Sequence, residues 1–175
     1  MNFLANNLLE INPFHEQAGL ALNLLFQECS RYWNIGGNGV PNVKILVVED
    51  ESTMASELVH RLRTLGYTAS ETAYSGEEAL KKASENPFDL VLMDIRLKGD
   101  MDCLRTAREI RASFDIPVVY LADYIDDNTL LQAKVTEPCE YILKPFIEQE
   151  LHMNIEAALY KHKMGVLRRF MAEGG

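Results

Sequence analysis

From Val43 onward, short apolar runs alternate with stretches of helical spacing. Lys44–Val48 (KILVV) reads as a buried strand that ends in Glu49 and Asp50. Met54, Leu58, Leu62 and Leu65 recur at three- and four-residue intervals, which predicts one face of a helix closed by Gly66. Tyr67–Ala73 reads as a weaker strand. Ser75 can cap the next helix, with Glu78 three residues on completing a capping box, and that helix runs to about Ser84. Asn86 and Pro87 break it. Leu90–Met93 is wholly apolar, as a strand buried on both faces of a parallel sheet should be, and it ends on an acid, Asp94. Leu104, Ala107 and Ile110 mark a further helix, Pro117–Leu121 a fourth strand and Thr129–Val135 a short helix. Tyr141–Leu143 is a fifth strand, followed by Lys144 and Pro145. A last helix begins near Phe146, turns Leu151, Ile155 and Leu159 inward, and continues toward Met171. Five strands alternating with five helices predict an α/β fold: a doubly wound five-stranded parallel sheet with helices on both faces.

Residues 1–42 carry a different pattern. Asn12 and Pro13 make a helix start, an N-cap followed by an N1 proline. Phe14, Ala18, Leu22, Leu25, Cys29 and Tyr32 fall on one helical face, and Gly36, Gly37, Gly39 and Pro41 form a linker. That stripe packs on its own domain, forms a dimer contact, or belongs to a disordered leader. The expected organisation is a helical extension and linker over 1–42, a main domain over 43–164, and a C-terminal helix extension and tail over 165–175.

Composition narrows the classes. The chain has 175 residues, 47% of them hydrophobic, enough for an ordinary core. Its net charge of -9 argues against a nucleic-acid surface and suits an acidic cation site. Cys29, Cys103 and Cys139 show no metal-ligand spacing, which fits reduced thiols and a cytoplasmic location. Gly19–Phe26 is too short and too interrupted to span a bilayer, so no membrane is expected.

The chemistry lies at the strand ends. Glu49 and Asp50 follow the first strand, Asp94 the third and Lys144 the fifth, and in a parallel sheet these ends share one edge. Converging carboxylates raise one another's pKa unless a cation joins them. Oxygen-only ligands beside a phosphate-handling lysine point to magnesium, Mg2+. A carboxylate between a metal and an ammonium can attack phosphorus and form an aspartyl-phosphate. An acidic rim with an ordinary surface lysine is the bland alternative. It explains any one residue well and the four together poorly.

Val43 to about Lys161 resembles a receiver domain of the two-component response regulators, on the segments ILVVED (Ile45–Asp50), LVLMDIRLKG (Leu90–Gly99), IPVVYL (Ile116–Leu121) and YILKPF (Tyr141–Phe146). The resemblance implies a flavodoxin-like sheet of order 2-1-3-4-5. It implies Asp94 as phosphoacceptor, with Glu49, Asp50, Asp94 and the Arg96 backbone carbonyl around Mg2+. It further implies Lys144 as the phosphate-contacting lysine, Tyr141 as the aromatic that turns on activation, and a cis peptide before Pro145. The implied partner is a histidine kinase or phosphotransfer protein. The output face is formed by the fourth helix, fifth strand and fifth helix.

Two positions depart from that pattern. The switch hydroxyl, a Thr or Ser, should stand at position 122, where Ala122 is found, and Asp123 replaces the small residue that usually follows. The loop after the phosphorylation site reads Met101, Asp102, Cys103. Cys103 there reads as a tolerated small residue at a helix start. The leading expectation is a signalling receiver, a phosphoacceptor rather than an enzyme. A pseudo-receiver that docks proteins without efficient phosphorylation is the alternative, favoured by Ala122 and Asp123. A magnesium phosphohydrolase shares the nucleophile but lacks a second acid and a cap domain. No output domain is expected after Lys161, so the chain is a stand-alone regulator or part of a longer protein. The apolar stripes at 14–32 and at Tyr160, Met164, Leu167 and Met171 suggest a homodimer.

Overall fold

The structure is a computed structural model that describes residues 43–67, 69–123 and 140–173. All of them belong to the second of two units, Asn42–Gly175. The predicted N-terminal helix and linker, and the predicted helix Thr129–Val135, lie outside the described residues.

The elements run β1 (Lys44–Val48), α1 (Ser52–Thr64), β2 (Ala69–Ala73), α2 (Gly76–Glu85), β3 (Leu90–Asp94), α3 (Cys103–Phe114), β4 (Val118–Ala122), β5 (Glu140–Leu143) and α4 (Glu148–Glu173). The strands form one parallel sheet in the order β2-β1-β3-β4-β5, as expected. β1, β3 and β4 are apolar on both faces because both faces are covered. Leu46, Val48, Val91, Met93, Val118 and Tyr120 join Ala79, Ala107 and Ile110 from α2 and α3 in one core cluster. The alternate residues Ile45, Val47, Leu92 and Leu121 are buried on the opposite face, as a period of two requires. Leu58 and Leu62 of α1, with Leu151 and Ile155 of α4, supply the buried residues of the helices there.

Several boundaries differ from the sequence reading. β2 begins at Ala69 rather than Tyr67, because Tyr67 belongs to the end of α1. Its N–H donates to Leu62 O at 3.0 Å and the Gly66 N–H donates to Arg63 O at 2.9 Å, a Schellman closure with Gly66 at φ 93°. The buried face of α1 is Ala55, Leu58, Val59 and Leu62, so Met54 and Leu65 are only half-buried. β4 starts at Val118, one residue late, since Pro117 has no N–H to give to a ladder. Ser75 Oγ accepts from Glu78 N at 3.2 Å, but the Glu78 carboxylate accepts from Tyr74 N at 2.8 Å instead of Ser75 N. The box is closed one residue earlier than its usual form.

α2 starts hard against α3. A Cβ on Gly76 would stand 2.2 Å from Thr106 Oγ1, so the close approach depends on glycine. Side-chain contacts tie the last helix to the rest of the domain, among them those of Tyr67 and Asp115. Tyr67 Oη lies 2.9 Å from His152 Nδ1 and donates to Glu156 at 3.1 Å. Arg169 donates to both Asp115 oxygens at 3.0 and 2.9 Å. No helix among the described residues is long and apolar enough to cross a membrane.

Candidate functional site

The carboxyl edge of the sheet gathers the charged residues. Glu49 extends the β1–β2 ladder by one bond, its N–H donating to Ala73 O at 3.0 Å. Asp94 closes β3 in register with Leu121. Lys144 extends β5, its N–H donating to Ala122 O at 2.6 Å. These backbone bonds fix three side chains at one point. Lys144 Nζ stands 2.9 Å from Asp94 Oδ2 and 3.3 Å from Glu49 Oε2. The second oxygen of each acid is taken by backbone: Arg96 N donates to Asp94 Oδ1 at 2.8 Å and Glu51 N to Glu49 Oε1 at 3.1 Å.

Glu49 is 2% exposed and Asp94 6%, so their charges interact through little water. Burial, and then Asp94 beside it, push the Glu49 carboxyl up to about 7. Burial also presses Asp94 upward, but the Arg96 N–H, Glu49 and the Lys144 ammonium outweigh it and hold its carboxyl below the usual range. Burial opposes the charge on Lys144, and the two carboxylates more than compensate, so its pKa is raised. Within the pair, the carboxyl of Asp94 is held down and that of Glu49 is pushed up.

Asp50 is half-buried and points to a different cation, Lys98 Nζ at 3.5 Å. Among the described residues no group of three or more His, Cys, Asp or Glu side chains stands ready to hold a metal ion. The ammonium of Lys144 is the cation lodged among the acids. Glu49, Asp50 and Asp94 carry oxygen donors, the ligand type Mg2+ takes, but Asp50 turns to Lys98 and the three do not converge on one point.

The two departures are both at the site. Ala122 is fully buried and offers only its carbonyl, to Lys144 N. Asp123 is half-exposed and lies 3.5 Å from Arg96 Nη1 and 3.9 Å from Lys144 Nζ. The ion pairs of Arg96 with Asp123 and of Lys98 with Asp50 were not anticipated. Nothing in the spacing announces them, because each joins loops brought together only by the sheet order. Tyr141 pairs with Tyr120 across β5 and β4 and packs, partly buried, on the core. The Lys144–Pro145 peptide is cis. Cys103 is buried, its Sγ donating to Ile95 O at 3.0 Å, and burial with Asp102 nearby pushes its thiol up to about 12. That is an inert packing thiol. Beside Lys144 opens a cavity of about 420 Å³, reached between α1 (Met54, Leu58, Arg61) and the Pro145–Phe146 turn.

A family model for the response regulator receiver domain matches residues 45–156. The chain is 37% identical over 119 residues to the transcriptional regulatory protein ZraR of Escherichia coli K12, a match covering 67% of this chain and 26% of ZraR. It is 36% identical over 118 residues to the probable transcriptional regulator ycf27 of Cyanidium caldarium, covering 66% of this chain and 45% of that protein. The chain thus spans less than half the length of these relatives. Among solved structures, the signal receiver domain of a modulated diguanylate cyclase from Desulfovibrio desulfuricans G20 superposes with a TM-score of 0.64 at 33% identity, covering 70% of this chain and 97% of that one. The N-terminal domain of a response regulator/sensory box/GGDEF protein from Carboxydothermus hydrogenoformans gives 0.63 at 34%, covering 70% and 98%. By its sheet order, its acid–lysine edge and these matches, the chain belongs to the response regulator receiver domain family of two-component signalling.

Proposed function

We propose that Asp94 accepts a phosphoryl group from the phosphohistidine of a histidine kinase or phosphotransfer partner. One observation carries the reading: a nearly buried carboxylate at the end of the central strand, 2.9 Å from a lysine amine. An Asp94 oxygen attacks phosphorus in line, the P–N bond breaks, and its electron pair leaves on the imidazole. The Arg96 N–H holds the other Asp94 oxygen, so the attacking one is oriented. Lys144 then exchanges a carboxylate oxygen for a phosphoryl oxygen and follows the charge as it moves. Mg2+, held by Glu49, Asp50, Asp94 and the Arg96 backbone carbonyl, would neutralise charge spread over the phosphoryl oxygens. The partner's histidine approaches through the opening beside α1 and the Pro145–Phe146 turn. Tyr141, on the strand that carries Lys144, is the reporter of the change.

The chain acts as a phosphoacceptor in the cytoplasm rather than as an enzyme turning over small molecules, and binds neither nucleic acid nor membrane. Residues 43–164 are the receiver domain, with 165–175 as a tail. We also propose a homodimer. Met153, Ala157, Tyr160, Met164, Leu167 and Met171 alternate at four and three residues along α4, the seam spacing of a coiled coil. Leu151, Ile155, Ala158 and Leu159 occupy the other, buried side of the helix, while Met153, Tyr160 and Met171 are exposed. Light scattering of the full chain tests this, and a concentration-independent monomer mass rejects it.

Incubation with acetyl phosphate and Mg2+, read by intact mass, should add one hydroxylamine-labile phosphoryl group to the wild type and none to Asp94→Asn. Label persisting in Asp94→Asn rejects the assignment. An unlabelled wild type supports the second reading, a pseudo-receiver, which Ala122 and Asp123 favour.

A further inference from the structure

We propose that the Arg96 guanidinium is the phosphoryl ligand that replaces the missing hydroxyl at position 122, and that Asp123 holds it in reserve. The proposal rests on the phosphoacceptor reading above and goes beyond it. A phosphoryl group on Asp94 adds oxygens that need donors. Lys144 supplies one contact, and Ala122 has no donor side chain to supply another. Arg96 lies two residues beyond Asp94, and its backbone N–H is already bonded to Asp94 Oδ1. Its guanidinium reaches across the site to Asp123, whose other carboxylate oxygen faces Lys144. One carboxylate therefore spans the two cations that flank Asp94, where a bound anion would be wanted.

The strengths of these contacts set the direction of exchange. At 3.5 and 3.9 Å they are longer than a charge-assisted hydrogen bond of about 2.8 Å. The Arg96 and Asp123 side chains are 51% and 45% exposed, so their attraction is weak and screened. A phosphoryl group carries about twice the charge of a carboxylate and presents three oxygens to a planar fork. It displaces Asp123 from both cations, and repulsion then drives Asp123 away.

Calorimetric titration with beryllofluoride and Mg2+, which mimics an aspartyl-phosphate, tests this on the full chain. Arg96→Ala is expected to weaken binding by about tenfold, the loss of one charge-assisted contact. Arg96→Lys, which keeps the charge without the fork, should recover part of that loss. Asp123→Asn should bind more tightly than wild type. If Arg96→Ala stays within about threefold of wild type, or Asp123→Asn binds more weakly, the proposal is wrong while the phosphoacceptor reading stands. If the wild type binds no beryllofluoride and Asp94 accepts no phosphoryl group, both fall together.

Discussion

Replacing Lys144 by Met removes the cation and keeps the length of the stem. The Lys144 side chain is 12% exposed, against 9% for Asp94 and 3% for Glu49, so solvent does little to mask the change. At 2.9 and 3.3 Å, and an effective dielectric near 20, each contact is worth roughly 5 kcal/mol before the cost of desolvating the ammonium. Breaking a buried pair from one side costs about 3–5 kcal/mol net. Proton uptake limits the damage, because losing the Lys144 charge removes an influence that holds the already raised Glu49 carboxyl down. The expected loss is about 2–4 kcal/mol, a fall in Tm on the order of 10 °C for a domain of this size. Thermal melts by circular dichroism in EDTA at pH 8 measure it, with Lys161→Met as control. Lys161 also pairs with an acid, Glu140, but its side chain is 66% exposed, and its loss should cost under about 1 kcal/mol. If Lys144→Met and Lys161→Met melt together, the acid edge does not depend on Lys144 and the electrostatic account of the site is wrong.

Two further outcomes follow from contacts away from the site. Gly76→Ala should destabilise by about 1–3 kcal/mol in urea although alanine is the better helix former, since its methyl meets the buried Thr106 Oγ1, itself bonded to Asp102 O at 2.8 Å. The same substitution in a Thr106→Ala background should cost clearly less. Asp115, in the left-handed region at φ 53°, is pressed upward by burial, but His162 and Arg169 hold its carboxyl below the usual range of 3.8. A depressed folded pKa gives stability that is present above the unfolded value and lost as pH falls through the folded one. Asp115→Asn tolerates that backbone, so it should melt below wild type at pH 7, and the gap should narrow in acid as Asp115 takes up its proton. A gap unchanged in acid would reject the clasp to Arg169.

The elements were legible where one physical signal dominated. The runs at Ile45–Val48 and Leu90–Met93 are apolar without alternation because helices cover both faces, and period and length sufficed to name them. Glu49, Asp94 and Lys144 were legible because parallel strands must end on one edge. Boundaries failed where a local device competed. Tyr67 has strand composition, yet the Schellman closure after Gly66 takes its N–H. Glu78 satisfies Tyr74 rather than Ser75, a choice between adjacent N–H groups that residue types do not encode. The Arg96–Asp123 and Lys98–Asp50 pairs link separate loops, and only the sheet order brings them within reach. His162 illustrates the same limit. Its Nε2 lies 3.3 Å from Asp115 Oδ1 without a directed hydrogen bond, while Arg169, one heptad on, takes both oxygens.

The burial of Ala122 explains why a missing hydroxyl is better compensated from outside β4 than from within it. Position 122 is fully buried, its carbonyl committed to Lys144 N at 2.6 Å and its backbone in register with Leu143. Threonine there adds two heavy atoms to a packed strand end, and overpacking costs about 1–3 kcal/mol. The hydrogen bond it would make to a phosphoryl group is worth about 1.5–3 kcal/mol, so the two nearly cancel. Arg96 faces no such constraint. Its side chain stands half in solvent, on the loop that already orients Asp94. An exchange of ion pairs at the rim moves charge without moving the core, and it begins in the residue, Asp123, that heads the segment after β4.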